Sequence, residues 1–89
     1  MLENYQELIL EDETYLSVFK LLAQNGGRAT LKELAEKGDK TTYHMRLAMA
    51  PLVDVDLIYH VPEDRLYWLS GAGEIARDKI ERGELELKV

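Results

Sequence analysis

Cysteine is absent from the 89-residue chain. That excludes disulfides, thiol catalysis and cysteine-ligated metal. No apolar run approaches the roughly 18 residues a membrane span needs. The N-terminal Met1-Leu2-Glu3-Asn4 carries an acid and no base, so a secretory signal is not expected and a cytoplasmic protein is the working expectation. Basic charge is in deficit: 11 Lys and Arg stand against 17 Asp and Glu, for a net charge of −6. This argues against a chain coated in positive charge for wholesale nucleic-acid binding, though it allows a local basic face. No glycine-rich phosphate loop is present, because Gly26-Gly27 and Gly71-Ala72-Gly73 have no following Lys-Ser/Thr. No serine nucleophile elbow occurs either. The carboxylates fall at helix ends, and a domain this small rarely encloses a catalytic pocket. An enzyme is therefore not expected, nor is a cofactor or a small-molecule ligand.

What is present is an ordinary globular balance, 46% hydrophobic and 31% charged, with no repeat and no low-complexity segment. Such a chain forms one domain over residues 1–89. Residues 1–11 read as an N-terminal arm or short helix, and 84–89 as a tail of alternating Glu and Leu. Tyr15, Val18, Phe19 and Leu22 follow the i, i+3, i+4, i+7 spacing of a helix with one buried face. The spacing predicts a helix over 12–24, opened by acids that suit its N-terminal dipole and closed by Asn25-Gly26-Gly27. Thr30 and Glu33 form a capping box for a second, two-turn helix that Gly38 stops.

Asp39 or Thr41 can cap a third helix. Tyr43, Leu47, Ala50 and Val53 or Asp54 are read as one face, with Met45, Met49 and Leu52 close to it; Tyr43 is assigned to the core with Leu47. Pro51 falls inside this pattern. It predicts either a kinked helix over 41–55 or two segments breaking near Ala50, since a mid-helix proline costs roughly 3 kcal/mol. Residues 57–61 and 65–69 are strand-like around the Pro62-Glu63-Asp64 turn and read as a β-hairpin. Ser70 caps a last helix, with Ile75, Ala76 and Ile80 expected inward and Gly83 at its end.

The fold class expected is mainly α with a small β-hairpin (α+β), in the order α-α-α-β-β-α, with room for a short first strand near Arg28-Ala29. Two capped helices separated by Gly38 and followed by a hairpin are the parts of a winged helix-turn-helix. In that motif the presented helix enters the major groove. Lys40, Thr41, Thr42, His44 and Arg46 would lie at its exposed start. Thr and Lys suit phosphate oxygens, and Arg can read guanine bidentately.

Three stretches carry a resemblance: Thr42-Tyr43-His44-Met45-Arg46-Leu47, residues 52–58 (Leu-Val-Asp-Val-Asp-Leu-Ile), and residues 65–73 (Arg-Leu-Tyr-Trp-Leu-Ser-Gly-Ala-Gly). In these the chain resembles winged helix-turn-helix transcriptional regulators, nearest to small archaeal phage-repressor-like proteins and then to MarR-like ones. The resemblance covers about residues 16–82. It implies sequence-specific binding of double-stranded DNA, often as a homodimer. The chain departs from the pattern in three places. Asp56 stands where glycine is usual, Pro51 lies in the recognition helix, and the wing tip is Pro62-Glu63-Asp64 with Arg65 as its one basic residue.

Charge by segment agrees with this reading. Residues 28–46 hold five bases (Arg28, Lys32, Lys37, Lys40, Arg46) against three acids (Glu33, Glu36, Asp39), and the segments on either side are each net −4. Phosphate contact dominates DNA affinity, so the only basic block coincides with the proposed helix-turn-helix; five bases on two helices can equally be a solvated face. Arg28, Lys32, Lys40, Thr41, Thr42, His44 and Arg46, with Arg65 on the wing, are the candidate DNA-binding residues. His44 and His60 are far apart in sequence, so no metal site is expected. Strand alternation puts Tyr67 and Leu69 on one face and Leu66 and Trp68 on the other; the resemblance implies that Tyr67 and Leu69 face the core and Leu66 and Trp68 lie outside. Unless Trp68 is itself core, the outer pair needs a cover, either residues 2–9 or a second subunit. Leu66, Trp68, Leu8 and Ile9 are thus the candidate dimer contacts. Two functions stand: a DNA-binding regulator, or a winged-helix module that docks on another protein. The overall acidity and the outward Leu66/Trp68 pair favour the second, the basic block and the resemblance the first.

Overall fold

A computed structural model describes residues 2–84; the expected alternating tail lies, beyond Glu84, outside the described residues. Helix α1 (Asn4–Leu10) leads to α2 (Glu13–Gln24), β1 (Arg28–Thr30), α3 (Leu31–Lys37), α4 (Thr42–Asp54), β2 (Ile58–Val61), β3 (Leu66–Leu69) and α5 (Gly71–Glu81). The architecture is mainly helical with one small antiparallel sheet of order β1-β3-β2. Two elements are added to the α-α-α-β-β-α order. The N-terminal segment is a short docked helix rather than an arm, and the strand allowed for near Arg28 is an edge strand paired to β3. No helix among the described residues is long and apolar enough to cross a membrane.

Local chemistry sets most boundaries. Asp12 Oδ1 accepts from the Thr14 N–H at 2.9 Å and opens α2, satisfying one of the helix's orphan donors. Gly26 and Gly27 both adopt positive φ, 76° and 78°, a run that side-chain-bearing residues resist. This pair turns the chain from α2 into β1. Thr30 and Glu33 make the reciprocal cap: Thr30 Oγ1 accepts from the Glu33 N–H at 3.1 Å, and Glu33 Oε1 accepts from the Thr30 N–H at 3.2 Å. That pairing holds the Glu33 carboxyl below the usual glutamate range, with the Thr30 backbone hydrogen bond as the main cause.

Thr41, not Asp39, caps α4, and the helix runs unbroken through Pro51. Pro51 is near the C-terminal end. The carbonyl its missing N–H would have served belongs to Leu47, on the exposed side where solvent can serve instead. The buried face of α4 is Met45, Met49 and Leu52, packed on α2 and α3. Tyr43 is 59% exposed and Leu47 53%, so the assignment of Tyr43 to the core is corrected. Two apolar stripes run along this helix, and Phe19, Leu22 and Leu34 complete a core with the methionine one.

In α5, Ala76 is buried and Ile80 half-buried, but Ile75 is exposed rather than inward. The start of α5 is clamped to the exit of α4. Ser70 Oγ donates to the Asp56 carbonyl at 2.6 Å and accepts from the Gly73 N–H at 2.9 Å. Asp56 holds a left-handed φ of 61°, a conformation that glycine adopts more readily than aspartate.

Candidate nucleic-acid interface

The turn between α3 and α4 and the first two turns of α4 carry the expected contact residues. Thr41, Thr42, His44 and Arg46 are exposed, as are Lys32 and Lys40. Thr41 is committed to the helix start: its hydroxyl accepts from the His44 N–H at 3.1 Å and lies 3.1 Å from His44 Nδ1. Thr42 projects with no partner among the described residues. With Met45 and Met49 fully buried between them, the outward residues sit on a rigid, core-anchored helix.

The structure does not gather the basic block as one patch. Arg28 belongs to the outer face of the sheet, directly opposite Trp68 in the β1–β3 register. Its guanidinium lies over the indole, 5.0 Å from the ring centroid, a cation–π contact. Lys37 donates to the Asn25 side chain. Lys40 lines a shallow groove with Glu13, Thr14 and Ser17 of α2. Arg46 turns the other way, toward the hairpin.

The hairpin supplies what the expected set lacked. Its register pairs His60 with Tyr67 and Tyr59 with Trp68. His60 and Tyr67 therefore share the inner face, and Arg28, Tyr59 and Trp68 form a row across the outer one. The His60 and Tyr67 rings stack, with centroids 4.6 Å apart and planes 15° from parallel. Arg65, at φ 54°, closes the hairpin loop through its N–H to the Pro62 carbonyl at 3.2 Å. Arg46, His60 and Tyr67 line two adjoining hollows between α4 and the hairpin, of about 180 and 260 Å³. Ala50, Val53 and Asp54 complete the first, and Leu31, Pro62 and Arg65 the second. Burial pushes the Tyr67 phenol above its ordinary value, and the Arg46 charge pulls it the other way.

Sequence reasoning missed His60 and Tyr67 as site residues. The signal was available in the hairpin: pairing across the 62–65 turn sets His60 beside Tyr67 on the face that looks toward α4. Of the expected dimer contacts, Trp68 is 39% exposed and Leu66 half-buried on the outer face. Trp68 is thus outside the core, and Arg28 partly covers it. Leu8 is exposed and Ile9 half-buried on α1, which packs against α2. The chain matches none of the protein-family models, curated proteins or solved structures with which it was compared.

Proposed function

We propose that the chain is a winged helix-turn-helix protein that binds double-stranded DNA sequence-specifically and regulates transcription. In this reading α3 and α4 are the helix-turn-helix, α4 enters the major groove, and β2–β3 is the wing. The observation that carries it is the exposed start of α4. Thr42 and His44 project from a helix held in place by fully buried Met45 and Met49, and Arg46 stands exposed beside them on the side toward the hairpin. Such a helix offers hydrogen-bonding side chains at fixed spacing, which base-edge readout requires. A homodimer joined through Leu66 and Trp68, with Leu8 and Ile9, would double the few phosphate contacts that one acidic subunit offers.

Selection of bound duplexes from a random-sequence library tests the reading. The protein enriches a defined sequence. Arg46→Ala abolishes specific retardation of that duplex while leaving the thermal midpoint nearly unchanged. Failure to retain any duplex at low salt overturns the proposal.

A second reading is favoured by one observation. Tyr43, Leu47 and Ala50 form an exposed apolar stripe on α4, a surface that also suits docking on a protein. Loss of duplex retention at low salt, with the fold intact, would leave that adaptor role as the reading the exposed stripe supports.

A further inference from the structure

We infer that the cleft between α4 and the β2–β3 hairpin is a phosphate-binding site, built from Arg46, Arg65, His60 and the hydroxyl of Tyr67. Its occupant is a backbone phosphodiester of the nucleic acid that α4 contacts. The identity of that occupant rests on the DNA-binding reading; the phosphate chemistry of the cleft stands on its own.

The decisive group is Tyr67. The residue is almost wholly buried, at 3% exposure, yet its hydroxyl has no hydrogen-bond partner among the described residues. A tyrosine hydroxyl sealed in the interior would need a partner. No sealed side-chain nitrogen or oxygen is left unpaired among the described residues, so the Tyr67 oxygen must retain access to solvent. Tyr67 lines both hollows of the cleft, and the Arg46 charge acts on its phenol. An O–H donor thus reaches the same space as a guanidinium.

The surrounding charges agree. Arg46 comes from α4 and Arg65 from the hairpin loop, and neither is ion-paired or hydrogen-bonded through its side chain among the described residues. His60 is fixed by its stack on Tyr67 and brings its imidazole to the cleft wall. Asp54 is the one carboxylate lining the cleft, and it lies at the end away from Arg65. Glu63 and Asp64, at the hairpin tip, are not among the lining residues. Two guanidiniums, an imidazole and a phenol from separate elements are a donor set for a tetrahedral oxyanion. Arginine in particular matches phosphate with paired N–H bonds.

The test is a titration of the full chain with inorganic phosphate, followed by nuclear magnetic resonance, against sodium chloride at equal ionic strength. Saturable shifts confined to Arg46, His60, Arg65 and Tyr67 are expected with phosphate and not with chloride. Tyr67→Phe keeps the ring and the stack, and it should weaken phosphate binding roughly tenfold with the thermal midpoint unchanged. Arg65→Gln, on an exposed loop, should weaken it by a similar factor. Shifts spread equally over Arg28, Lys32 and Lys40 would mean general screening and overturn the site. So would unchanged affinity in both variants.

A parallel titration with a mixed-sequence DNA duplex separates the two claims. Retention of duplex without any saturable phosphate response would defeat the cleft but leave the DNA reading standing. A phosphate response without duplex retention would keep the cleft, defeat its assignment to a DNA backbone, and point to a free phosphorylated ligand. With both present, Tyr67→Phe must weaken duplex binding as well.

Discussion

The buried side chain of Gln6 donates a 2.8 Å hydrogen bond to the backbone carbonyl of Val55, 49 residues away. Its amide oxygen meanwhile accepts from the Glu3 N–H at 2.9 Å. One side chain therefore caps α1 and anchors it to the exit of α4. Gln6→Ala leaves the Val55 carbonyl unserved in a part-buried setting. It should destabilise the fold by about 1–3 kcal/mol, a fall in thermal midpoint of several degrees for a domain of this size. Thermal unfolding followed by circular dichroism measures it; an unchanged midpoint would remove the anchor from the account.

Gly73 and Gly71 should respond oppositely to the same substitution. A Cβ on Gly73 would collide with the Leu57 carbonyl oxygen, against backbone that cannot swing aside, whereas one on Gly71 meets nothing within 4 Å. Gly73→Ala should cost about 1–3 kcal/mol through forced displacement of α5. Gly71→Ala should be neutral or stabilise by up to about 1 kcal/mol through helix propensity. Urea unfolding of the two variants side by side decides it, since propensity alone predicts that both gain.

Asp56→Gly should stabilise the protein by about 0.5–1 kcal/mol by relieving a left-handed backbone. Among the described residues, every hydrogen bond of Asp56 is made by its backbone: its N–H donates to the Val53 carbonyl at 3.0 Å, and its carbonyl accepts from Ser70 Oγ at 2.6 Å. Glycine keeps both. A lower midpoint in the glycine variant would show that the aspartate side chain has a role of its own.

Acid should weaken the start of α3. The folded-state value of Glu33 is depressed. Its contribution is therefore fully present above the ordinary glutamate range and is lost as pH falls through the depressed folded value. Glu33→Gln can still accept from the Thr30 N–H but does not titrate. The variant's midpoint should fall less steeply than the wild type's on the acid side of that range, and identical slopes would contradict the assignment.

Trp68→Ala should shift sedimentation toward the monomer if the outer sheet face joins two copies. Wild-type protein that is already monomeric at high concentration would sink that pairing.

Features fixed by neighbours in the chain were legible from sequence. The Thr30–Glu33 box, the Ser70 cap, Thr41 as one of two caps open to α4 and the Gly26-Gly27 turn each need only a few consecutive residues. Features decided by partners far along the chain were not. Met45 and Tyr43 stand on adjacent apolar stripes, and only the packing of α2 and α3 chooses between them. Gln6 looks like a solvated residue until its carbonyl acceptor arrives from position 55. Arg28 belonged to a basic block by composition, yet the β1–β3 register hands it to Trp68. The same register, extended to β2, sets His60 on Tyr67 beside Arg46, a grouping that no short stretch of the sequence displays.

The chain's single tryptophan is on β3, one residue from Tyr67 but on the opposite face of the strand. Half-open to solvent beneath the Arg28 guanidinium, it is a natural fluorophore for the far side of the hairpin. A ligand entering the helix–hairpin cleft leaves its immediate surroundings dry or wet as before. A body laid against the outer face expels water from the indole and moves its emission to the blue. The wavelength of one intrinsic chromophore thus distinguishes which side of a four-residue strand has been occupied.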